Sequence, residues 1–285
     1  MAVQTIQKPK WLKVSGFTGV GYRRVDRMLN HLKLNTVCQA AGCPNRGECF
    51  NRGTATFLIL GPLCTRGCRF CNIGTGKPQP VDPDEPARLA QMVAELKLNH
   101  VVVTSVNRDD LPDGGATHFA RTIEAIRKEL PTASIEILTP DFRNAPQAID
   151  IIIDARPEVF NHNVETVPRL YRRVRPGAVY QRSLDLLREV GRRSQIVTKS
   201  GLMLGLGETA EELRRVFDDL ASIEVSMLTI GQYLAPSKSH LPVVRYVPPE
   251  EFTSLGEQAM MAGIPKVVSA PLVRSSYRAE EYVNL

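Results

Sequence analysis

Short apolar runs alternate with amphipathic stretches through most of the chain. The runs that predict strands are TATFLIL, HVVVTSV, SIEILTP, VFNHNVE, IVTKSGLMLGL and MLTIGQYL. Between them lie stretches with apolar residues at helical spacing, such as EPARLAQMVAELKL and TAEELRRVFDDLASI. Continuous apolar strands are typical of a parallel sheet that helices cover on both faces. The alternation therefore predicts an α/β fold of six βα units.

Six units are fewer than the eight of a closed barrel, so we predict a partial (β/α)6 TIM-like barrel that is open on one side. It spans residues 54–240, with an N-terminal extension over 1–53 and a C-terminal extension over 241–285. The C-terminal extension contains PPEEFTSLGEQAMMAG and KVVSAP, which predict a helix and a strand. We expect the three segments to act as one catalytic unit, with its site at the carboxyl ends of the strands.

Composition places few limits on the function. The chain has 285 residues, of which 43% are hydrophobic and 23% are charged, as in ordinary globular proteins. Its first residues lack the uninterrupted apolar stretch of a secretory signal, and its longest apolar runs are too short to cross a bilayer. We expect a cytoplasmic monomer with no membrane partner.

The net charge of +6 raises the question of nucleic-acid binding. Basic residues are dispersed, apart from YRRVRP and REVGRR, and no aromatic-rich strand resembles an RNA-binding motif. We therefore expect no nucleic-acid partner. A basic face around Arg172, Arg173 and Arg175 would instead receive an acidic protein domain.

All six cysteines lie in one short window, in two sets of three. The first triad, C-x4-C-x5-C, is Cys38, Cys43 and Cys49; the second triad, C-x3-C-x2-C, is Cys64, Cys68 and Cys71. The first lies in Gly-, Pro- and Asn-rich sequence, which predicts a loop with short helical turns. In a reducing compartment, clustered thiols indicate metal ligands rather than disulfides. Structural zinc needs four ligands, so zinc fits sets of three less well, although it stays open.

An iron–sulfur cluster explains the count of three. A four-iron cluster normally takes one thiolate per iron, so three thiolates leave one iron open. The second triad follows the first predicted strand, and in this context it resembles the signature of radical S-adenosylmethionine enzymes. The resemblance implies that the open iron binds the methionine part of S-adenosylmethionine. The reduced cluster then cleaves it to methionine and a 5′-deoxyadenosyl radical.

Further segments resemble one branch of these enzymes, the lipoyl synthase family. They are TVCQAAGCPNRGECF, VVVTSVNRDDLPDGGATHFA, EILTPDF, NHNVETVPRLY, KSGLMLGLGE, GQYLAPS and VRSSYRAEEY. The resemblance implies insertion of two sulfur atoms at C6 and C8 of a protein-bound octanoyl-lysine chain, with two S-adenosylmethionine molecules cleaved. The sulfur comes from a second, auxiliary [4Fe–4S] cluster. Asn107 and Pro62 depart from the family pattern, which has aspartate at the first position and often at the second.

The resemblance also implies residue roles. The first triad holds the auxiliary cluster, whose fourth ligand is a serine of the RSSY motif: Ser276, with Ser275 as the alternative. The expected contacts to S-adenosylmethionine are Phe70, Gln232 and Leu234 for the adenine, Thr104 and Ser105 for the methionine amino group, Asn163 and Glu165 for the ribose, and Lys199, at the end of the fifth strand, for the carboxylate. For each of these residues, packing or strand-end hydrogen bonding is the alternative role.

The partners implied are octanoylated lipoyl carrier domains, namely those of 2-oxoacid dehydrogenase E2 subunits and the glycine cleavage H protein. An electron donor such as ferredoxin or flavodoxin is also implied. Two rival interpretations remain. A biotin-synthase-like or methylthiolating radical enzyme would share the second triad but lack the first triad's spacing and RSSY. A non-catalytic module with zinc in both triads would use the basic surface to bind nucleic acid.

Overall fold

The structure is a computed structural model that describes residues 7–14 and 16–282. These residues form two compact units. The N-terminal unit comprises residues 14, 16–66, 72–161 and 276–282, and the C-terminal unit comprises 7–13, 67–71 and 162–275. The outermost parts of the two predicted extensions, 1–6 and 283–285, lie outside the described residues. The functional division at residues 53 and 240 stays a prediction.

The N-terminal unit is built on a largely parallel sheet. Its strands are β1 (Asn35–Thr36), β2 (Thr56–Ile59), β3 (Leu63–Cys64), β4 (Gly74–Thr75), β5 (His100–Ser105), β6 (Ser134–Leu138) and β7 (Val159–Asn161). The sheet runs in the order β1, β2, β5, β6, β7, and only β1 is antiparallel to its neighbour. Strands β3 and β4 form a separate parallel pair. All four residues of β2 are buried, as expected for a strand covered on both faces.

Six helices belong to this unit. They are α1 (Val20–His31), α2 (Val37–Ala40), α3 (Arg46–Asn51), α4 (Glu85–Leu96), α5 (Ala116–Glu129) and α6 (Ala148–Ala155). Pro86 lies in the first turn of α4, where its fixed φ suits the start of a helix. Helices α4 and α5 bury their apolar faces through residues such as Leu89, Val93, Phe119 and Ile123.

The C-terminal unit repeats the alternation. Its elements are α7 (Tyr171–Val174), α8 (Tyr180–Arg193), β8 (Val197–Leu204), α9 (Ala210–Ser222), β9 (Met227–Gln232), α10 (Pro249–Met261) and β10 (Lys266–Ser269). Strands β8, β9 and β10 are parallel and adjacent in that order. A capping box begins α9, in which Thr209 and Glu212 satisfy each other's backbone N–H groups.

The six predicted strands are all present as β2 and β5 to β9, and α10 and β10 confirm the helix and strand of the C-terminal extension. One position was wrong. Lys199 does not end the fifth predicted strand, because β8 continues through Gly201 and pairs with β9 as far as Leu204. Lys199 is therefore the third residue of an eight-residue strand.

A buried carboxylate fixes the end of β2 just before the second triad. Glu85, at the start of α4, is only 5% exposed. Its Oε2 accepts a hydrogen bond from the N–H of Leu60 at 2.8 Å and lies 2.8 Å from Nε2 of His118. Since an unpaired buried N–H is costly, Glu85 stabilises the point where the chain leaves the sheet towards Cys64.

Two glycines admit the C-terminal tail to the sheet of the C-terminal unit. The N–H of Gln232 donates to the carbonyl of Pro271 at 3.1 Å, so the tail follows the end of β9. A Cβ at Gly231 would lie 2.1 Å from the carbonyl oxygen of Val273, and one at Gly201 would lie 2.9 Å from Oγ of Ser275. Any larger residue at these positions would push the tail away. Among the described helices, none is both long and apolar enough to cross a membrane.

Candidate functional site

The first triad lies on two short helices of the N-terminal unit. Cys38 is in α2 and Cys49 is in α3. Cys43 lies in the turn between them, and its N–H donates to the carbonyl of Cys38 at 3.1 Å. Thr36 caps α2 by accepting a hydrogen bond from the N–H of Gln39. The predicted loop with short helical turns is confirmed.

The three thiols of this triad oppose each other's ionisation. Burial, followed by the charge of Cys43, raises the pKa of Cys38 to about 11. Burial, followed by the charges of Cys38 and Cys43, raises the pKa of Cys49 to about 12. The interaction shows that the three sulfurs face one region. A bound cation would offset the cost that burial and neighbouring thiolates place on ionisation here.

Thr56, the first residue of β2, links this triad to the RSSY motif. Its hydroxyl donates to Oγ of Ser276 at 2.7 Å. Hydrogen bonding from its backbone to the thiol of Cys38 lowers the pKa of that thiol, although burial outweighs this effect. Ser275 has a different partner in the C-terminal unit, where its hydroxyl donates to Oδ1 of Asn163 at 2.9 Å. Of the two serines, Ser276 is therefore the one that Thr56 connects to the first triad.

Charged side chains hold the tail beyond Ser276 against α3, an arrangement that we call the tail clamp. Glu48 accepts hydrogen bonds from the hydroxyl of Tyr277 at 3.0 Å and from Nη2 of Arg278 at 2.7 Å. Arg52, one turn further along, binds Glu280 at 2.7 Å. Burial opposes the charge of Glu48, but the hydrogen bonds from Arg278 and Tyr277 keep its pKa below the usual value. The clamp ties the tail to the helix that carries Cys49.

Within the second triad, Cys64 belongs to the N-terminal unit. It ends β3, is buried, and accepts hydrogen bonds at its sulfur from Arg66 and Asn107. The guanidinium of Arg66 forms two hydrogen bonds of 2.7 Å with Asp109 and one of 2.6 Å with Asp141. Such bidentate pairs are among the stronger polar contacts in proteins. They tie the loop after β3 to the loops after β5 and β6.

Cys68 and Cys71 belong to the C-terminal unit. The N–H of Cys71 donates to the carbonyl of Cys68 at 3.1 Å, and Arg69 donates its N–H to the carbonyl of Val174 at 2.8 Å. His240 adds a contact of 3.1 Å between its Nε2 and the carbonyl oxygen of Cys71. This part of the cysteine loop is therefore held through backbone groups.

Asn163 and Glu165 lie together in the C-terminal unit. Nδ2 of Asn163 donates to Oε1 of Glu165 at 3.1 Å. Burial raises the pKa of Glu165, while the charges of Arg175 and Arg274 oppose the rise. Glu165 also has a positive φ of 65°, held by backbone hydrogen bonds to Gly201 and Met203 of β8. Strained backbone of this kind is concentrated at functional sites.

The other expected contacts to S-adenosylmethionine fall into two groups. Ser105 ends β5, and its buried Oγ has no hydrogen-bond partner among the described residues. Phe70 and Leu234 are half-buried. By contrast, the hydroxyl of Thr104 donates to the carbonyl of Leu138 at 2.9 Å. The buried amide of Gln232 bonds to backbone groups through both its nitrogen and its oxygen.

The comparisons with known proteins agree along the whole chain. The radical SAM superfamily model matches residues 58–220. A lipoyl synthase of Methylococcus capsulatus is 55% identical over 97% of this chain and 86% of its own length. One of Chloroflexus aurantiacus is 53% identical over 99% of this chain and 93% of its own length.

The chain belongs to the lipoyl synthase family.

Two solved structures share the fold. SuiB of Streptococcus suis bound to S-adenosylmethionine has a TM-score of 0.58 and 11% identity, over 75% of this chain and 50% of SuiB. Methylornithine synthase has a TM-score of 0.51 and 14% identity, over 88% of this chain and 84% of its own. The chain thus spans only half the length of SuiB. The likeness, with the family membership, confirms the predicted α/β partial barrel.

Membership in the lipoyl synthase family also confirms the predicted enzyme class. The chain is a radical SAM sulfurtransferase that inserts sulfur into a protein-bound octanoyl chain, with S-adenosylmethionine and [4Fe–4S] clusters as its cofactors. The rival interpretations, another radical sulfurtransferase and a zinc-binding module, were wrong.

The donor groups of both triads fit the clusters of a lipoyl synthase. No three His, Cys, Asp or Glu side chains in the described ranges converge closely enough to hold a single metal ion. A cubane makes a different demand, since each thiolate binds a different iron and the ligands surround the whole cluster. The thiols of the first triad, which sense each other's charge, and the unpartnered Ser105 hydroxyl suit such groups.

Sequence reasoning missed the residues that support the ligands: Thr56, Glu48, Arg66, Asp141 and His240. Thr56 and Glu48 lie in segments that the family resemblance used, but the resemblance assigned no role to either residue. His240 carried no signal in its local sequence. None of these contacts follows from spacing, because each partner is distant along the chain.

In the metal-free protein, Cys38 and Cys49 should resist alkylation at neutral pH. Thiolates are the reacting form, and a pKa of about 11 keeps Cys38 protonated there. In the folded chain, the alkylation rate of Cys38 should rise as the pH approaches about 11. In urea, the rate should already rise near the ordinary thiol pKa of about 8.5. Iodoacetamide labelling across a pH series, read by peptide mass spectrometry, measures both rates.

The same shift has a consequence for stability. Because thiolates form first in the unfolded chain, the metal-free protein should lose stability as pH rises above about 9. Below that pH, both states keep the thiols protonated and this contribution stays constant. Equal labelling of Cys38 in folded and unfolded chains at pH 8 would contradict the assignment of a buried, mutually repelling triad.

Proposed function

We propose that this lipoyl synthase holds its two clusters on separate ligand sets. The second triad, Cys64, Cys68 and Cys71, binds the cluster that takes S-adenosylmethionine at its open iron. The first triad, Cys38, Cys43 and Cys49, with Ser276 binds the auxiliary cluster. The observation that carries the proposal is Thr56, which hydrogen-bonds both Cys38 and Ser276.

The bound cofactors supply the difficult chemistry. With S-adenosylmethionine, the reduced cluster supplies a 5′-deoxyadenosyl radical, which is required because C6 and C8 of an octanoyl chain carry unactivated C–H bonds. The chain's own residues bind, orient and shield the reactants. No acid–base or nucleophilic side chain is needed for the hydrogen abstractions.

Several polar groups would orient S-adenosylmethionine. The free hydroxyl of Ser105 is available for its amino group, and the paired Asn163 and Glu165 offer donor and acceptor atoms for its ribose. Phe70 and Leu234 supply apolar contact for the adenine. The satisfied side chains of Thr104 and Gln232 favour a structural role for both residues. Lys199 lies towards the start of β8, which weakens its assignment to the carboxylate.

Ser276 suits a ligand that must leave during turnover. Its alkoxide is a harder ligand than thiolate, so it is a plausible weak point where the auxiliary cluster gives up sulfur. The hydroxyl of Thr56 donates to Oγ of Ser276, and a donor there stabilises the alkoxide. The tail clamp, through Glu48 and Arg278, would keep the serine nearby when its bond to iron is broken.

The acyl substrate would arrive on an acidic carrier domain, as in 2-oxoacid dehydrogenase E2 subunits or the glycine cleavage H protein. Arg172 and Arg173 are exposed on α7 and carry no ion pair with a described residue. Arg175 is less suitable, because its Nη1 donates to the carbonyl of Asn163 at 2.8 Å. We therefore place carrier docking at Arg172 and Arg173.

We also propose an acidic electron donor and a cytoplasmic location for this protein. An acidic donor such as ferredoxin or flavodoxin suits a chain with a net charge of +6. A cytoplasmic location suits six cysteines that form no disulfide, because a reducing compartment keeps thiols reduced for binding iron. Cell fractionation of the host tests the location.

Iron and sulfide content after anaerobic purification tests the two-cluster assignment. The wild type should contain about eight irons, and a Cys38→Ala/Cys43→Ala/Cys49→Ala variant about four. The variant should still cleave S-adenosylmethionine but form no lipoyl product from an octanoylated carrier domain. Zinc in place of iron, or loss of both clusters in a folded variant, would overturn the assignment.

The choice between the two serines has a matched pair of variants. Ser276→Ala should lose iron from the auxiliary cluster towards about four per chain while it retains cleavage of S-adenosylmethionine. Ser275→Ala should keep about eight, because its hydroxyl bonds to Asn163 instead. Mössbauer spectra of the two proteins distinguish the clusters. The reverse pattern would move the ligand to Ser275.

Charge reversal tests the docking face. Arg172→Glu/Arg173→Glu should weaken carrier binding by about tenfold or more at low salt, with less effect at high salt. Arg214→Glu/Arg215→Glu makes the same charge change on exposed residues of α9 and should have little effect. Calorimetric titration with the octanoylated carrier measures both. Equal losses for the two variants would indicate net charge rather than a defined face.

A further inference from the structure

Three N–H groups point at one buried sulfur in the N-terminal unit. The Sγ of Cys64, which is 8% exposed, lies 3.4 Å from the backbone nitrogen of Arg66 and 3.3 Å from that of Asn107. The side-chain Nδ2 of Asn107 is the third donor, at 3.6 Å. Two of the three donors therefore come from a single residue in the loop after β5.

The backbone holds Asn107 firmly in this position. Its carbonyl oxygen accepts from the N–H of Thr65 at 3.1 Å and from the hydroxyl of Thr65 at 3.0 Å. The same hydroxyl accepts from the N–H of Asp109 at 3.1 Å. Asp109 in turn binds the guanidinium of Arg66. Thr65 and Arg66 thus join the loop after β3 to the loop after β5. These contacts limit how far the Asn107 amide can turn.

The residue type matters at this position. An asparagine amide can donate two hydrogen bonds, whereas an ionised aspartate can only accept. A carboxylate in the same place would present negative charge to the sulfur.

We propose that Asn107 raises the reduction potential of the cluster that Cys64 binds, by donating its side-chain N–H to the coordinating sulfur. The proposal rests on the role proposed above for Cys64. Hydrogen bonds to cluster sulfurs stabilise the more negative, reduced state, and such outer contacts tune metal centres. Asn107 is a positioning and tuning residue that acts through Cys64. Its presence makes reduction by a given electron donor more favourable before each cleavage of S-adenosylmethionine.

Potentiometric titration of the full, cluster-loaded chain, followed by EPR, tests the proposal. The relevant cluster is identified as the one whose EPR signal changes on addition of S-adenosylmethionine. Asn107→Leu removes the side-chain donor and keeps the backbone N–H, and its midpoint should shift to more negative potential. Asn107→Asp adds an anion and should shift further. Asn107→Gln retains an amide donor and should return the midpoint towards the wild-type value.

The matched control is Asn99, an exposed asparagine between α4 and β5 in the same unit. Asn99→Leu and Asn99→Asp make the same chemical changes away from the sulfur, so their midpoints should equal that of the wild type. Suppose that Asn107→Leu and Asn107→Asp bind clusters and cleave S-adenosylmethionine. Midpoint potentials equal to that of the wild type would then overturn this inference but leave the proposed function intact. A wild type without iron would instead overturn the role of Cys64.

A second measurement needs no variant. Pulsed EPR on the wild type, labelled with ¹⁵N in asparagine side chains, should detect a weakly coupled ¹⁵N nucleus at the reduced cluster. Such a coupling supports the amide donor even if the Asn107 variants fail to load clusters. The absence of any coupled asparagine nitrogen would overturn the proposal.

Discussion

The cysteine-rich part of the N-terminal unit depends on one constraint. The negative charge of its thiolates must be stabilised in surroundings that are largely shielded from water. Cys38 is buried and Cys49 is half-buried; burial and then the charge of Cys43 make ionisation of Cys38 costly, and burial and then the charges of Cys38 and Cys43 do the same for Cys49. Burial of this kind is tolerated where a cation will arrive to compensate, so metal binding and local folding are coupled. Thr56 prepares the site by directing hydrogen bonds at the sulfur of Cys38 and at Oγ of Ser276.

The second triad shows a different solution. The loop after β3 crosses the carboxyl ends of the strands, where side chains from successive loops meet. Arg66 binds Asp109 through Nε and Nη2 and Asp141 through the same Nη2, and the two aspartates come from the loops after β5 and β6. These contacts fix the position of Arg66, and Cys64 is held with its sulfur towards backbone N–H groups. Preorganisation of this kind lowers the cost of assembling a cluster site.

Periodicity was enough to predict the strands, because each is a short apolar run flanked by turn residues. The placement of Lys199 at the end of the fifth strand was wrong, because β8 continues beyond it through Gly201 to Leu204. The cysteine spacing indicated the clusters and their type. The supporting contacts were beyond reach: Thr56 and Ser276 are 220 residues apart, and neither pattern nor propensity reports which distant side chains meet. The family resemblance implied Ser276, with Ser275 as the alternative, and the structure gives the two serines different partners.

The tail clamp has a kinetic consequence. Its charged groups are partly exposed: Glu48 is 32% accessible and Arg278 is 40% accessible in their side chains. Ion pairs at that exposure are weak one by one and are screened by salt, so the tail can open and close rapidly. An opened Ser276 nonetheless stays tethered near the first triad, at an effective concentration of the order of millimolar. In the ligand role proposed for Ser276, its rebinding to a cluster would be intramolecular, at a rate independent of the protein concentration.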